Sequence, residues 1–346
     1  MLDPALDSLF LPFATGALSW PTEGQILFLR ARMGAALRES GVPRERFICR
    51  QSFLPFAREL SLGFRAPDAG AETPEGPFPL VISLPPRQRD EARFVLAESV
   101  ARAGAGGIVM AAAANGEGAR SLESDLGALA GDVISLSKNK CRVFWARIDP
   151  ARIDRDLLLA WTRLGEARRL SEDARFLSRP GLFAWDRIDA GSALLARHLP
   201  ADLAGKGADL GCGFGYLSAE ILARCPRVTG IDLYEAERVA LELAQINLPP
   251  LAHGVALDFL WHDVTTGLRG FYDFIVSNPP FHTGKADRID LGQAFIIAGA
   301  KALRPGGRML IVANQHLPYE ATFAGHFARQ RIVAVADGYK IIEAEK

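Results

Sequence analysis

The sequence predicts an α/β protein in which one fold, a mostly parallel sheet covered by helices, occurs twice in tandem. Three observations lead to this prediction. Strand-like and helical segments alternate through the second half, two segments of the first half recur in the second in the same order, and the chain ends in a predicted antiparallel hairpin. Together they favour duplicated domains over one large domain.

Strands and helices alternate most clearly in the second half. The predicted strands are residues 207–210, 227–231, 331–336 and 339–344, and the predicted helices are residues 216–223 and 235–247. Alternation of this kind indicates a parallel sheet with helices on both faces. Asp337-Gly338 between the last two strands is a strong hairpin signal, so we expect the sheet to finish with an antiparallel strand.

Two segments of the first half repeat in the second. Leu-Val-Ile-Ser-Leu-Pro-Pro at residues 80–86 matches Phe-Ile-Val-Ser-Asn-Pro-Pro at residues 274–280, and the Gly-rich segment 103–110 matches residues 303–310. The offsets, 194 and 200 residues, differ by only six. Two matches in the same order at nearly the same spacing predict a duplicated domain.

Segments rich in charged residues, proline or glycine indicate the domain boundary and a surface loop. Residues 166–180 are strongly charged and end at a Pro-Gly pair, so we predict a connecting helix and a turn there, as a linker between domains at residues 1–165 and 181–346. Residues 66–79 are rich in Pro, Gly and Ala without periodicity and are predicted to form a surface loop.

Composition excludes several classes of protein. The 346 residues are 49% hydrophobic and 23% charged, which is typical of globular domains, and forty basic residues balance forty acidic ones. Net charge therefore gives no argument for a polyanionic partner. The four cysteines include no CxxC pair, so we expect reduced thiols and no metal. The apolar runs are too short for a membrane span, and Asp3 and Asp7 oppose a signal peptide, so we expect a cytoplasmic protein.

A glycine-rich turn, Asp209-Leu-Gly-Cys-Gly-Phe-Gly215, joins a predicted strand to a helix. Gly211, Gly213 and Gly215 allow a tight turn and close approach of a ligand, and the helix that follows offers free N–H groups. The GxGxG spacing differs from the GxGxxG dinucleotide fingerprint, and a carboxylate at Asp209 would repel a phosphate. The turn therefore favours a cationic ligand such as S-adenosylmethionine.

Two more aspartates are predicted to lie at strand ends near this turn. Asp232 ends the segment Val-Thr-Gly-Ile-Asp, where a carboxylate can accept hydrogen bonds from both hydroxyls of a ribose. Asp263 follows the strand-like segment 259–262, where it can accept from an adenine amino group. A solvated or helix-capping aspartate is the alternative for each.

The tetrapeptide Asn278-Pro279-Pro280-Phe281 indicates chemistry on an amine. The amino group of a base is a poor nucleophile because its lone pair is delocalised into the ring. If the Asn278 side-chain oxygen and the Pro279 carbonyl each accept one N–H, the lone pair is directed toward an electrophilic methyl group. The prolines stiffen the loop, and Phe281 offers a face on which a flipped-out base stacks. A rigid turn without chemistry is the alternative.

From about residue 180 onward the chain resembles the class I S-adenosylmethionine-dependent methyltransferases, and specifically the bacterial ribosomal RNA guanine-N2 methyltransferases of the "methyltransferase small" domain family. The resemblance rests on residues 180–183, Asp186 with 189–192, 209–215, 278–284, 312–314 with 317–319, and 339–340. It implies Rossmann-like domains with a mostly parallel seven-stranded sheet, S-adenosylmethionine as cofactor and ribosomal RNA, most of all small-subunit 16S rRNA, as substrate, either free or in a ribosomal subunit. A monomer is compatible with the pattern.

Two polar residues next to the tetrapeptide are candidate substrate contacts. His282 is expected either to steer the base or to cap the loop. Lys285 departs from the family pattern, which often has small residues after His-x-Gly, and is expected to contact phosphate at the pocket rim or to be solvated.

Members of this family carry a degenerate N-terminal copy of the fold, and the first half resembles that copy at residues 84–86, 116–118 and 137–145. Leu84 stands in the place of Asn278 and cannot accept a hydrogen bond. About 69 residues before Leu84, the spacing that separates Asp209 from Asn278, lies Ala14-Thr-Gly-Ala without an acidic glycine-rich turn. We therefore expect the first half to lack both sites.

The first half is expected to support the catalytic half or to hold RNA. Its candidate RNA-binding segment is a basic run next to two aromatic residues: Lys138, Lys140, Arg142 and Arg147, with Phe144 and Trp145. An ordinary edge strand is the alternative.

The favoured reaction is direct transfer of a methyl group to a guanine N2, in which positioning supplies most of the rate and no metal or covalent nucleophile is required. Large-subunit rRNA guanine, adenine N6, cytosine N4 and protein glutamine present similar planar amines and are alternatives. A nucleotide-dependent oxidoreductase is disfavoured by the glycine spacing. A non-catalytic RNA-binding or assembly module is disfavoured because the second half holds every expected element.

Overall fold

The polypeptide divides into two units, each built on its own β-sheet. A computed structural model describes residues 3–64, 76–280 and 287–346. Unit 1 comprises Met1–Glu166 and Arg179–Gly181, and unit 2 comprises Ala167–Ser178 and Leu182–Lys346.

Unit 1 is a six-stranded sheet with helices. Its strands are β1 (Ile26–Leu29), β2 (Phe47–Arg50), β3 (Phe78–Ser83), β4 (Ala103–Ala114), β5 (Val133–Lys138) and β6 (Cys141–Arg147). Its α-helices are α1 (Pro4–Leu9), α2 (Leu11–Ala14), α3 (Ala35–Arg38), α4 (Leu54–Ser61), α5 (Arg89–Arg102), α6 (Ala119–Ala130) and α7 (Arg155–Thr162). The strand order is β2-β1-β3-β4-β6-β5, parallel as far as β4 and antiparallel through the β5–β6 hairpin.

Unit 2 is a seven-stranded sheet with helices, preceded by a short ribbon of two strands. The strands are β7 (Arg168–Arg169), β8 (Leu177–Ser178), β9 (Ala204–Leu210), β10 (Arg227–Glu235), β11 (Ala256–Trp261), β12 (Tyr272–Ser277), β13 (Leu303–Asn314), β14 (Arg329–Ala336) and β15 (Tyr339–Glu345). The α-helices are α8 (Ala190–Arg197), α9 (Tyr216–Arg224), α10 (Arg238–Asn247), α11 (Asp287–Ala302) and α12 (Glu320–Ala324). The ribbon β7–β8 occupies part of the predicted linker 166–180. The prediction of a connecting helix there is wrong, because Arg168 and Arg169 pair with residues 177–178 as strands.

The unit 2 sheet has the predicted topology. Its order is β11-β10-β9-β12-β13-β15-β14, with parallel neighbours from β11 to β13 and an antiparallel β14–β15 hairpin turning at Asp337-Gly338. Alternate side chains of β12 enter two different cores, Phe274 in one and Ile275 in the other. Both faces of the strand are therefore covered, which explains why its sequence is apolar without alternation.

The duplication predicted from two short matches extends over the whole sheet. Strands β2, β1, β3, β4, β6 and β5 follow the order and directions of β10, β9, β12, β13, β15 and β14. Leu80 pairs with Ile108 of β4 as Phe274 pairs with Arg308 of β13, so both predicted offsets are confirmed. The structure describes no counterpart of β11 in unit 1, where residues 65–75 stand between α4 and β3 and lie outside the described residues.

One loop boundary differs from the prediction. Most of the predicted surface loop 66–79 falls on residues 65–75, outside the described residues, but Phe78 and Pro79 belong to β3. Phe78 is buried in the core of unit 1, and this burial draws the end of the segment into the sheet. No helix in the described ranges is long and apolar enough to cross a membrane.

Candidate active site

Three strands of unit 2 end together at one edge of the sheet. Leu210 of β9 lies beside Tyr234 of β10 and Ser277 of β12, and the Ser277 hydroxyl donates to the Leu210 carbonyl at 2.7 Å. The next residues along the chain are Gly211, Glu235 and Asn278. Because parallel strands carry their ligand-binding groups at the carboxyl edge, this edge is the candidate active site.

The glycine-rich turn follows β9 as predicted. Gly211, Gly213 and Gly215 have φ angles of 72°, 57° and 99°, a region that other residues adopt only at a cost. The Gly211 amide donates to the Tyr234 carbonyl at 2.8 Å, which fixes the turn to the end of β10. A Cβ added to Gly213 would have no atom within 4 Å, so the turn borders open space.

Asp209 is fully buried at the end of β9. Its Oδ2 accepts a hydrogen bond of 2.7 Å from the Ser218 hydroxyl, and its Oδ1 is buried without a hydrogen-bond partner among the described residues. Burial, and to a smaller extent the nearby charge of Glu235, raise the pKa of Asp209 to about 7. A buried carboxylate with an unsatisfied oxygen fits a cationic ligand and opposes a phosphate.

Asp232 does not lie at a strand end, so the prediction that it ends its strand is wrong. Strand β10 continues for three more residues to Glu235. Asp232 is buried within the sheet, where its Oδ2 accepts from the Tyr272 hydroxyl at 2.7 Å and pairs with the Lys206 ammonium at 2.8 Å. These partners let an aspartate sit inside a strand, whereas the sequence pattern suggested a strand terminus there.

Glu235 occupies the position that was predicted for Asp232. Its Oε2 accepts from the Gly213 amide and its Oε1 from the Glu237 amide, both at 2.8 Å, so the carboxylate lies directly against the glycine-rich turn. Burial raises the pKa of Glu235. The sequence pattern does not single this residue out because the predicted helix 235–247 includes it, whereas α10 begins at Arg238.

Asp263 lies two residues after β11, as its predicted strand-end position requires. Its Oδ1 accepts from the Thr265 amide at 2.9 Å and from the Thr265 hydroxyl at 2.7 Å, which caps a short 3-10 helix. The residue therefore has the capping role named as its alternative, and contact with an adenine remains a prediction.

Asn278 follows β12 with its side-chain amide held in one orientation. Its Nδ2 donates to Asp189 Oδ2 at 2.9 Å and to Ser192 Oγ at 2.8 Å. Its Oδ1 is buried and has no hydrogen-bond partner among the described residues. A buried acceptor without a donor costs free energy, so this oxygen fits an N–H supplied by a ligand. Pro279 is buried beside it, and Pro280 is exposed.

The remaining predicted substrate contacts cannot be placed. Phe281, His282 and Lys285 fall within residues 281–286, which lie outside the described residues. Their roles remain predictions.

In unit 1 the positions equivalent to the polar site residues carry other side chains. Strand register places Phe28 at the position of Asp209, Ile48 at that of Asp232, Gln51 at that of Glu235 and Leu84 at that of Asn278. The comparison with Ala14-Thr-Gly-Ala was therefore wrong, because the connection between the two strands is shorter in unit 1 than in unit 2. The conclusion that this copy lacks the carboxylate of Asp209 and the amide acceptor of Asn278 is still reached, at Phe28 and Leu84.

In unit 1 the protein's own side chains bond to the loop after β1. Gln51 Nε2 donates to the Ala31 carbonyl at 2.8 Å, whereas Glu235, at the equivalent position of unit 2, accepts from the glycine-rich turn. Arg30 stands at the position of Gly211, keeps a positive φ of 55°, and pairs with Glu91 at 2.7 Å.

The predicted RNA-binding run of unit 1 is only partly exposed. Phe144 and Trp145 are buried in the core, so neither is available to stack on a base, and Arg142 is paired with Glu123. Lys138 and Lys140, at the tip of the β5–β6 hairpin, are exposed. The aromatic part of that prediction is therefore wrong, since alternate residues of β6 face the two cores of unit 1.

Comparison with known proteins agrees with the geometry. Residues 173–343 match the family model of the methyltransferase small domain. The chain is 30% identical over 260 residues to the ribosomal RNA small subunit methyltransferase C of Citrobacter koseri, covering 74% of this chain and 72% of the relative. The Klebsiella pneumoniae protein of the same name is 29% identical over 257 residues, with coverage of 74% and 72%.

A solved structure shares the fold of the whole chain. The T. thermophilus 16S rRNA N2 methyltransferase, in complex with AdoMet and guanosine, superposes with a TM-score of 0.79 at 24% identity and covers 99% of this chain and 92% of that one. The fold and the edge of the unit 2 sheet thus define an S-adenosylmethionine-dependent methyltransferase with tandem Rossmann-like domains. The chain belongs to the ribosomal RNA small subunit methyltransferase C family.

The raised pKa of Asp209 predicts pH-dependent binding of the cationic cofactor. Only the ionised carboxylate attracts a cation, so the dissociation constant for S-adenosylmethionine should rise about 10-fold per unit as the pH falls below about 7. Isothermal titration calorimetry between about pH 5.5 and 7, where the cofactor's amino group is mostly protonated and its sulfonium keeps its charge, measures this. Asp209→Asn should bind weakly with little pH dependence. Wild-type affinity independent of pH would contradict the prediction.

The replacements in unit 1 predict one cofactor per chain. Phe28 stands in place of the Asp209 carboxylate. The neutral Gln51 stands in place of Glu235 and donates to the Ala31 carbonyl. Calorimetric titration with S-adenosylmethionine should give a stoichiometry of about one, and Asp209→Asn should lose that single event. A second binding event that survives this substitution would show that unit 1 also binds the cofactor.

Proposed function

We propose that the protein methylates the exocyclic N2 amine of a guanine in small-subunit 16S rRNA, using S-adenosylmethionine. The observation that carries this proposal is the buried Oδ1 of Asn278, which has no hydrogen-bond partner within the described residues, at the edge of the sheet that holds the glycine-rich turn. An amide oxygen held as an acceptor suits a planar amine, which has N–H groups to donate. Family membership and the relatives named above support rRNA as the substrate.

The residues that would hold the cofactor come from the ends of β9 and β10. The glycine-rich turn leaves room for close approach, and Asp209 supplies a buried negative charge. We assign the two ribose hydroxyls to Glu235 rather than Asp232, because Glu235 lies against the Gly213 amide while Asp232 is occupied by Tyr272 and Lys206. When bound, S-adenosylmethionine supplies a methyl group already activated by a positively charged sulfur.

The residues after β12 would hold the amine. Asn278 Oδ1 and the Pro279 carbonyl each accept one N–H, which orients the lone pair for in-line attack, and Phe281 stacks on the flipped base. The two prolines remove backbone N–H donors that would compete for the same acceptors. The positive charge that develops on the nitrogen is relieved when the methylated amine releases a proton to water, so no dedicated base is assigned.

All the described residues of this site belong to unit 2. One chain is therefore sufficient for the chemistry, and we propose a monomer acting on rRNA in the cytoplasm. Free rRNA and an assembled ribosomal subunit both present guanine amines. The contact with an RNA phosphate predicted for Lys285 would apply to either substrate.

Mapping of methylated nucleotides tests the proposed function. In 16S rRNA from cells that lack the gene, one N2-methylguanine should disappear, and the purified protein should restore it in vitro. Methylation of 23S rRNA, of an adenine or of a protein glutamine instead would contradict the substrate assignment.

Asn278→Ala should lower the rate of methyl transfer by about 10²-fold or more, because the amine loses the acceptor that orients it. The dissociation constant for S-adenosylmethionine should change by less than about threefold. Single-turnover assays with radiolabelled cofactor measure the rate. Asn115→Ala, at an exposed asparagine of unit 1, is the matched control and should leave the rate unchanged. Near wild-type methylation by Asn278→Ala would remove this residue from the mechanism.

A pair of isosteric substitutions tests the ribose assignment. Glu235→Gln should weaken S-adenosylmethionine binding about 10-fold, the loss expected for one hydrogen bond to a charged group. Asp232→Asn should leave the affinity within about twofold and instead destabilise unit 2, because Lys206 loses its partner. Calorimetry and thermal unfolding measure the two effects. The opposite ranking of affinities would return the ribose contact to Asp232.

A further inference from the structure

We propose that Asp189 is a positioning residue for methyl transfer, which acts with Ser192 to select which end of the Asn278 amide faces the substrate amine. This inference rests on the proposed function, since it concerns the same amine site. The Asp189 carboxylate accepts hydrogen bonds from the Ser192 amide and from Asn278, and its effect is exerted through Asn278.

An asparagine side chain has two ends of nearly the same shape and opposite hydrogen-bonding character. With the oxygen toward the substrate, Asn278 accepts an N–H from the amine. With the amide rotated by 180°, its NH₂ group would meet the NH₂ of the base, donor against donor, and the amine would not be oriented. The two orientations fill the same space, so packing alone does not choose between them.

Asp189 and Ser192 make the choice by hydrogen bonding. Asn278 Nδ2 lies 2.9 Å from Asp189 Oδ2 and 2.8 Å from Ser192 Oγ, so both amide protons are engaged. An ionised carboxylate has no proton to donate, and it would repel the amide oxygen in the rotated orientation. The oxygen is therefore left as the end available to a ligand, in agreement with its buried and unpartnered state among the described residues.

The carboxylate of Asp189 is itself fixed by helix α8. Asp189 is the N-cap of this helix, and its Oδ2 also accepts from the Ser192 amide at 2.8 Å. A Cβ added to the intervening Gly191 would lie 3.1 Å from this same oxygen and 3.0 Å from the Tyr339 ring, so the glycine allows the close fit. The start of α8 thus acts as a rigid support for the loop that follows β12.

Asp189→Ala and Asp189→Asn together separate the positioning role from the helix cap. Asp189→Ala removes the acceptor that fixes the Asn278 amide, so we expect kcat to fall about 30- to 100-fold, while KM for RNA and the dissociation constant for S-adenosylmethionine stay close to wild type. Asp189→Asn keeps an oxygen that can occupy the place of Oδ2, cap α8 and accept from Asn278, so it should keep kcat within about threefold of wild type. Asp154→Ala, which removes the N-cap of α7 in unit 1, is the matched control: it should lower the unfolding temperature as Asp189→Ala does and leave kcat unchanged.

A double-mutant cycle with Asn278→Ala tests whether Asp189 acts through Asn278. In the Asn278→Ala background, Asp189→Ala should have no further effect on the single-turnover rate, because the amide to be oriented is gone. A further loss of similar size in that background, or a wild-type kcat for Asp189→Ala alone, would overturn the inference. Ser192→Ala, which removes the second acceptor and leaves the carboxylate, should lower kcat by less than Asp189→Ala.

The cycle also separates this inference from the proposed function. If the wild-type protein methylated an adenine or a glutamine, the guanine assignment would fail while the cycle could still show coupling. If it methylated guanine N2 and the two substitutions were additive, the function would stand and the role of Asp189 would fail.

Discussion

The in-register parallel pairing of β9 with β10 and β12 is the constraint on which the site depends. Each strand turns away at the same level, so a turn, a carboxylate and an amide from distant parts of the chain meet at one edge. No side-chain contact among them is required for this convergence, because backbone hydrogen bonds set the level at which each loop begins. The helices on both faces then bury that edge and lower its dielectric constant. The electrostatic interactions of the charged groups there become stronger as a result.

Three acidic side chains near this edge have different roles because their surroundings differ. Asp232 has an ammonium and a phenol as partners and serves as an internal tie between strands. Asp209 has a single hydroxyl donor, and Glu235 has only backbone amides, and burial raises the pKa of both. The latter two hold negative charge that the protein itself leaves uncompensated, which is what a cationic ligand requires.

Much of this arrangement can be predicted from the sequence, and the exceptions have physical causes. The alternation, the Asp-Gly hairpin, the glycine-rich turn and the two Pro-Pro segments are local signals, and the structure bears them out. The local sequence does not reveal which carboxylate lies at the strand end, because Lys206 and Tyr272, the partners of Asp232, come from other strands. The burial of Phe144 likewise depends on sheet faces that spacing alone does not reveal.

Arg30 shows that unit 1 keeps the backbone shape of the cofactor-binding turn although its side chains do not suit the cofactor. At the position of Gly211, this arginine keeps the left-handed backbone at a cost of about 1 kcal/mol, although the carboxylate of Asp209 and the amide acceptor of Asn278 are both absent from the equivalent positions in unit 1. The kink after the first strand therefore belongs to the architecture, which needs it to lead the chain off the sheet. In the catalytic copy Gly211 relieves that strain, and a Cβ there would make only ordinary contacts, 3.5 Å from Phe295 and 3.9 Å from the Asn278 carbonyl oxygen, so backbone conformation accounts for this glycine.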